Sequence, residues 1–256
     1  MKRIAALLLT LVGLSFMAYG QTGHFFSSDR FSSSLISDLC QDHQGSVWIA
    51  TDYGLNRFDG YRFQTFLHKE SDPSSLSVNV VVSLLCDRQG RLWVGTNRGL
   101  DRFDAGLQSF IHYPFPDGLH PRVSSLIQRI DGTILVGTAG YGAYEIGEDG
   151  KLNPFTYEGA DDFFSYLYED SRGRLWKTGF SDIVSMRDGN HVKNMRMLKG
   201  SAIAFIERPD EVLIVCQHGV MSYRNGQVSE ANVDMSAVAN KNIVMSKALA
   251  AADGTI

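Results

Sequence analysis

The dominant pattern along the chain is a succession of short apolar runs divided by polar, glycine-bearing breaks. Residues 80 to 113 show it most plainly. Val80 to Cys86 is apolar and β-branched, as a buried strand should be. Asp87-Arg88-Gln89-Gly90 reads as a turn, because Asp can bond its own backbone and Gly accepts positive φ. Arg91 to Thr96 returns as a second strand. Asn97-Arg98-Gly99 turns again, and Leu100 to Phe103 alternates apolar and polar, which predicts a third strand with one face inward. Asp104-Ala105-Gly106 then leads into Ser109 to Tyr113, a fourth strand. No long stretch of helical periodicity interrupts this pattern.

The pattern repeats. Asp42-His43-Gln44-Gly45-Ser46-Val47-Trp48-Ile49-Ala50-Thr51 matches Asp87-Arg88-Gln89-Gly90-Arg91-Leu92-Trp93-Val94-Gly95-Thr96, and Gly54-Leu55-Asn56-Arg57-Phe58-Asp59 matches Gly99-Leu100-Asp101-Arg102-Phe103-Asp104 at the same spacing. Weaker copies start at Asp131, Asp170 and Pro209, and Ala252 to Ile256 resembles the opening of another. The anchors Gly45, Gly90, Gly132, Gly173, Asp210 and Gly254 recur at a period of about forty residues, the size of one four-stranded propeller blade. The expected fold is therefore all-β: a β-propeller with about five complete blades and the start of a sixth, an incomplete ring of an expected seven. Two columns read as packing that fills the wedge between blades: Trp48, Trp93, Leu135, Trp176, Leu213, and Phe58, Phe103, Ile146, Met186, Tyr223. Aliphatic replacement of aromatics at equivalent places argues for volume rather than chemistry.

These motifs, D-x-x-G-x-[LV]-W-[IV]-[AG]-T followed by G-L-[ND]-R-F-D, resemble the two-component regulator propeller repeat. Ser32 to Leu39, and Asp72 to Ser77 before the second unit, resemble the start of such units. The resemblance implies the periplasmic sensor region of a hybrid two-component histidine kinase. It also implies a carbohydrate-derived or other small ligand, a homodimer in the full-length receptor, and a downstream kinase that these residues do not contain. Contact with a membrane is then expected only through downstream parts. The alternatives are a stand-alone exported scaffold for binding and, further off, a propeller hydrolase or lyase.

The N-terminus bears on compartment. Lys2 and Arg3 precede an apolar stretch that reaches about Ala18, and Ala18-Tyr19-Gly20 is a small-x-small pattern. This is the layout of a secretory signal peptide over residues 1–20, leaving 21–256 as the N-terminal part of an exported propeller on the periplasmic side. The formal net charge is −4, and Lys and Arg are scattered, so nucleic acid is not an expected partner. The cysteines Cys40, Cys86 and Cys216 are odd in number and widely spaced, and read as free thiols in apolar runs; a Cys40–Cys86 bridge stays open.

No catalytic, metal or cofactor site is expected. Asp42, Asp59, Asp87, Asp104 and Asp170 recur at turns, whereas catalysis needs a unique constellation. His24, His43, His68, His112, His120, His191 and His218 lie in different units without metal-ligand spacing. Gly140-Tyr141-Gly142 reads as a turn. Ligand-binding residues are not assigned. The irregular stretches Tyr113 to Arg122 and Gly159 to Tyr168 are where ligand contacts could lie, because Phe163, Phe164, Tyr166 and Tyr168 could stack on sugar rings. The alternation of Phe164, Tyr166 and Tyr168 reads more simply as an inner strand.

Overall fold

The computed structural model describes residues 32–157 and 162–233. The signal-peptide segment, His24 and the unit opening at Gly254 lie outside them. The described residues form twenty strands in five four-stranded antiparallel sheets, each a meander in chain order. Blade 1 is β1 (Ile36–Gln41), β2 (Val47–Thr51), β3 (Gly54–Phe58) and β4 (Phe63–Phe66). Blade 2 is β5 (Val81–Cys86), β6 (Leu92–Thr96), β7 (Gly99–Asp104) and β8 (Ser109–Tyr113). Blade 3 is β9 (Val123–Gln128), β10 (Ile134–Thr138), β11 (Ala143–Ile146) and β12 (Leu152–Phe155). Blade 4 is β13 (Tyr166–Glu169), β14 (Leu175–Thr178), β15 (Ile183–Asp188) and β16 (His191–Arg196), and blade 5 is β17 (Ala202–Arg208), β18 (Glu211–Cys216), β19 (Gly219–Arg224) and β20 (Gln227–Glu230). The first strands of successive blades pack side by side, and the sheets do not close into a ring.

The repeat signature has a physical cause. In blade 2 the Asp87 carboxylate is 1% exposed. Its Oδ1 accepts the backbone N–H groups of Gln89 (3.0 Å) and Arg91 (2.8 Å), and its Oδ2 accepts Trp93 Nε1 at 2.8 Å. Asp42 does the same for Gln44, Ser46 and Trp48, and Asp170 for Arg172, Arg174 and Trp176. One side chain thus closes the first turn, satisfies its buried donors and fixes the indole in the interblade wedge. Where the tryptophan is a leucine, the carboxylate is gone: strand register puts Arg129 and Arg208 in the place of Asp in the blades of Leu135 and Leu213. Arg129 turns to the neighbouring blade instead, with Nε 3.2 Å from Glu169 Oε1.

The columns sort by face. Trp48 points from blade 1 into the gap with blade 2, where it meets Phe103 with ring centroids 4.8 Å apart. Trp176 meets Tyr223 across the gap between blades 4 and 5 at 5.0 Å. Phe58 faces the other way, on the side of blade 1 that packs with Val47, Ile49 and Phe63. Met186 does not belong to the Phe58 column. It pairs with Trp176 and shares its face, whereas Phe58 pairs with Val47 and Phe103 with Leu92, so Arg187 opposite Leu175 is the equivalent. The turn after β14 is one residue longer than in blade 1, and one residue reverses the face of a strand.

Small residues set the blade spacing. A Cβ added at Gly95 would lie 2.7 Å from Val123 Cγ1 and 3.0 Å from Val123 O, because β9 presses onto this point of β6. Gly137 is pressed in the same way by Phe164 and Leu167. Blade 4 carries Thr178 there, and the gap to blade 5 is filled by larger rings, with Tyr168 stacked on Phe205 at 5.8 Å. Side chains also tie the first strands together: Asp38 Oδ2 accepts Leu84 N at 2.9 Å, Ser83 Oγ donates to Val123 O at 3.0 Å, and Ser125 Oγ accepts Leu167 N at 2.9 Å.

Candidate ligand-binding face

A meander places two kinds of loop at each end of a blade. The Asp–Gly turns between first and second strands, and the turns between third and fourth strands, share one end. The turns between second and third strands share the other end with the connections between blades. Backbone hydrogen bonds hold these last two together: Gly54 N to Asn79 O, Asn97 N to Val80 O, Gly142 N to Asp162 O and His218 N to Lys199 O.

The Asp–Gly end is regular. Gly45, Gly90, Gly132 and Gly173 all sit at positive φ in equivalent turns. Asp210 occupies a tighter turn, bounded by the pair Arg208 and Glu211. Asp59 and Asp104 close turns at the same end, each accepting two backbone N–H groups through Oδ1. Every recurrent carboxylate is therefore occupied with the backbone, and Asp42, Asp87 and Asp170 with an indole as well.

The opposite end varies from blade to blade. At the apex of the turn after the second strand stand Tyr53, Arg98, Tyr141, Phe180 and His218, all exposed. Tyr53 is 55% exposed, Tyr141 53% and Phe180 71%, values that mark display rather than packing. The turns beneath them are firm: Thr51 Oγ1 donates to Gly54 O at 2.8 Å and accepts Tyr53 N, and Thr96 Oγ1 does the same with Gly99 O and Arg98 N. Phe163, on the connection into blade 4 and 37% exposed, lies against Phe180 with centroids 4.7 Å apart. The Phe163–Phe180 pair is an exposed aromatic pair at this end, and such a pair offers a platform to a ring with an apolar face.

Of the residues singled out in the sequence, Phe164 is buried in the gap between blades 3 and 4, and Tyr166 and Tyr168 lie on β13 against Phe205. Part of the 159–168 stretch lies outside the described residues. In the stretch 113–122, Phe115 is buried and meets Tyr144 edge-on at 4.9 Å, while His120 and Arg122 are exposed. Gly140 and Gly142 frame the Tyr141 turn at positive φ. The apex residues Tyr53, Arg98, Phe180 and His218 were not picked out by the sequence reading; the residue just before Gly54, Gly99 and Gly219 was the available signal.

Blade 4 departs from the repeat in a second way. Lys177 stands in the fully buried apolar column of Ile49, Val94, Val136 and Ile214, and is itself 2% exposed. Its Nζ lies 4.2 Å from the centre of the Phe164 ring, a cation–π distance. Tyr157 beside it donates to Ser185 O at 3.0 Å, and burial pushes its phenol up from the ordinary value.

The histidines do not converge. Among the described residues, no group of three or more His, Cys, Asp or Glu is arranged to hold a metal ion. His112 has a different role: Nδ1 is 2.7 Å from Asp101 Oδ1 and Nε2 is 2.8 Å from Pro73 O. Two acceptors on two ring nitrogens favour the doubly protonated ring. The Asp101 hydrogen bond accordingly raises its pKa, against the opposing effect of burial. Asp101 also accepts Ser77 N at 2.9 Å, pinning the start of blade 2 as Asn56 pins Ser32 in blade 1.

Five four-stranded meanders packed face to face around their first strands define a β-propeller, regular at one end and variable at the other. Residues 30–53 and 75–98 match the two component regulator propeller family. Histidine kinase P4 of Formosa agariphila is 38% identical over 53 residues, which are 21% of this chain and 4% of that protein. The extracellular domain of a hybrid two component system from B. thetaiotaomicron superposes with a TM-score of 0.59 at 18% identity, over 89% of this chain and 39% of that one. Virginiamycin B lyase from Staphylococcus aureus superposes at 0.60 and 15% identity, over 79% and 71%. The chain thus spans a small part of the curated relative and well under half of the first of these structures, and the structural likenesses concern the fold.

Proposed function

We propose that this chain is the extracytoplasmic sensing region of a two-component signalling receptor, and that it binds a carbohydrate-derived ligand at the variable end of the propeller. The observation that carries the reading is the match of two consecutive units to the two component regulator propeller, within a scaffold that displays Tyr53, Tyr141, Phe163 and Phe180 at one end. Pyranose rings expose C–H faces that pack on such aromatics, while hydroxyls take polar partners of the kind Arg98 and His218 supply. The reading needs no catalysis by these residues: the repeated carboxylates are committed to turns and indoles, which leaves none of them free for acid–base work. Among the described residues no helix is long and apolar enough to cross a membrane. Ligand would act by binding one arrangement of a receptor dimer better than another.

The test is a calorimetric screen of the chain against oligosaccharides, repeated with Phe180→Ala. Binding that weakens about tenfold or more in the variant supports the reading, in line with the 1–3 kcal/mol that a stacking contact contributes. A coding sequence that continues past Ile256 without a membrane helix or kinase motifs would end the receptor reading, whatever the calorimetry gave.

A further inference from the structure

The geometry points to Cys40 and Cys86 as a modification site: two thiols placed to close into a disulfide that ties blade 1 to blade 2. Three separate observations converge on this. Cross-strand partners share a face, and Cys40 pairs with Trp48, which points into the gap between blades 1 and 2. Cys86 pairs with Leu92, which points into the same gap from the other side. The adjacent strands β1 and β5 are fixed in register by the bond from Leu84 N to Asp38 Oδ2 at 2.9 Å, and each cysteine lies two residues further along its own strand. Both side chains pack on one cluster and both are half-buried, whereas Cys216 is fully buried in another.

The thiols are free and lie against the same cluster. The hydrogen bond to Cys86, followed by burial, holds the Cys40 pKa well above its ordinary value, so Cys40 stays a thiol at neutral pH. Closure therefore needs a disulfide oxidant and quickens as pH rises. A protein thiolate attacks one sulfur of the oxidant disulfide, forming a mixed disulfide and expelling one thiolate. The second protein thiol loses its proton and displaces the other half. Two S–H bonds are lost and one S–S bond forms; the oxidant takes two electrons and leaves as two thiols. An oxidising compartment would supply such an oxidant, so the site matters only for an exported chain. It is independent of the sensing role.

The test uses the whole chain, purified reduced and exposed to glutathione disulfide in native buffer and in denaturant, followed by alkylation and peptide mapping. In native buffer the peptide of Cys40 should be joined to that of Cys86 with the loss of two hydrogens, and Cys216 should remain alkylated. The pairing should be faster at higher pH and should be undone by dithiothreitol. In denaturant the selectivity should vanish and pairs containing Cys216 should appear. The inference is overturned by glutathione adducts in place of a protein disulfide, by native pairs containing Cys216, or by no native reaction under conditions that oxidise the denatured chain.

Discussion

Replacing Asp87 by Asn tests the idea that the repeat signature is a bonded unit. The amide oxygen of Asn can still accept the Gln89 and Arg91 backbone N–H groups. The amide nitrogen, however, faces two donors, Trp93 Nε1 at 2.8 Å and Arg91 Nε at 2.6 Å. The indole bond is buried and goes to a charged acceptor, so its loss with an orphaned N–H costs about 2–3 kcal/mol. The Arg91 side chain is 40% exposed, and its bond adds no more than about 0.5–1 kcal/mol. The expected loss is about 3 kcal/mol, read from urea unfolding followed by tryptophan emission. Trp93→Leu alone should cost about 2–4 kcal/mol by creating a cavity. The double variant should then cost about 1–2 kcal/mol less than the two losses added, because Asn no longer faces an indole donor. A coupling below about 0.5 kcal/mol would refute the bonded unit. Acid gives a second readout. Burial opposes ionisation of Asp87, but the bonds from Trp93 and Arg91 outweigh it and hold the carboxyl below its ordinary range. A carboxyl depressed on folding gives stability that is present above its unfolded value and lost as pH falls through the folded one. The difference between the parent and Asp87→Asn should therefore shrink below about pH 4.

Gly95→Ala drives a methyl into Val123 and Ser83 of the adjoining strands, and should lower stability by at least about 2 kcal/mol in denaturant titration. Phe180→Ala removes a ring that is 71% exposed, so its unfolding midpoint should stay within about 0.5 kcal/mol of the parent even where ligand binding falls. His112 has a raised pKa, so its contribution is full below the unfolded value and fades as pH rises through the folded one. Proton-linked unfolding of the parent and of His112→Ala should accordingly converge above about pH 8, and two parallel curves from pH 5 to 9 would count against the Asp101 contact.

Much of the fold is legible in the sequence because its period is long and its turns are chemically marked. The four strands expected from Val80 to Tyr113 match β5 to β8 within a residue or two at each end. The Met186 placement fails for a local reason: Gly179-Phe180-Ser181-Asp182 lengthens one turn, and fixed spacing from Trp176 then lands on the wrong face. The Asp–Trp bond is legible in the residues, since the Asp that stands six places before Trp48, Trp93 and Trp176 is missing before Leu135 and Leu213. Cys40 and Cys86 look unrelated at a distance of a whole repeat. Only the packing of blade 2 on blade 1 brings them to one gap.

Specificity can lie only where the blade leaves a side chain free to vary. A repeat that uses its carboxylates, glycines and indoles to build one kind of wedge has little freedom left in strands or in the Asp–Gly turns. Change there breaks a turn or a packing layer, as Gly95 and Asp87 illustrate. The apices of blades 1 and 2 escape this constraint, because Thr51 and Thr96 close the turn through hydroxyl and backbone and leave the side chain two places on unconstrained. That is why Tyr and Arg succeed one another at the apices of blades 1 and 2 without disturbing the blade beneath. The first strands are meanwhile linked side chain to backbone from blade 1 through blade 4. Under the proposed sensing role, a ligand gripping the apices of neighbouring blades meets first strands that are tied to one another. Its binding energy is better suited to reorienting the propeller as a unit than to deforming any one sheet.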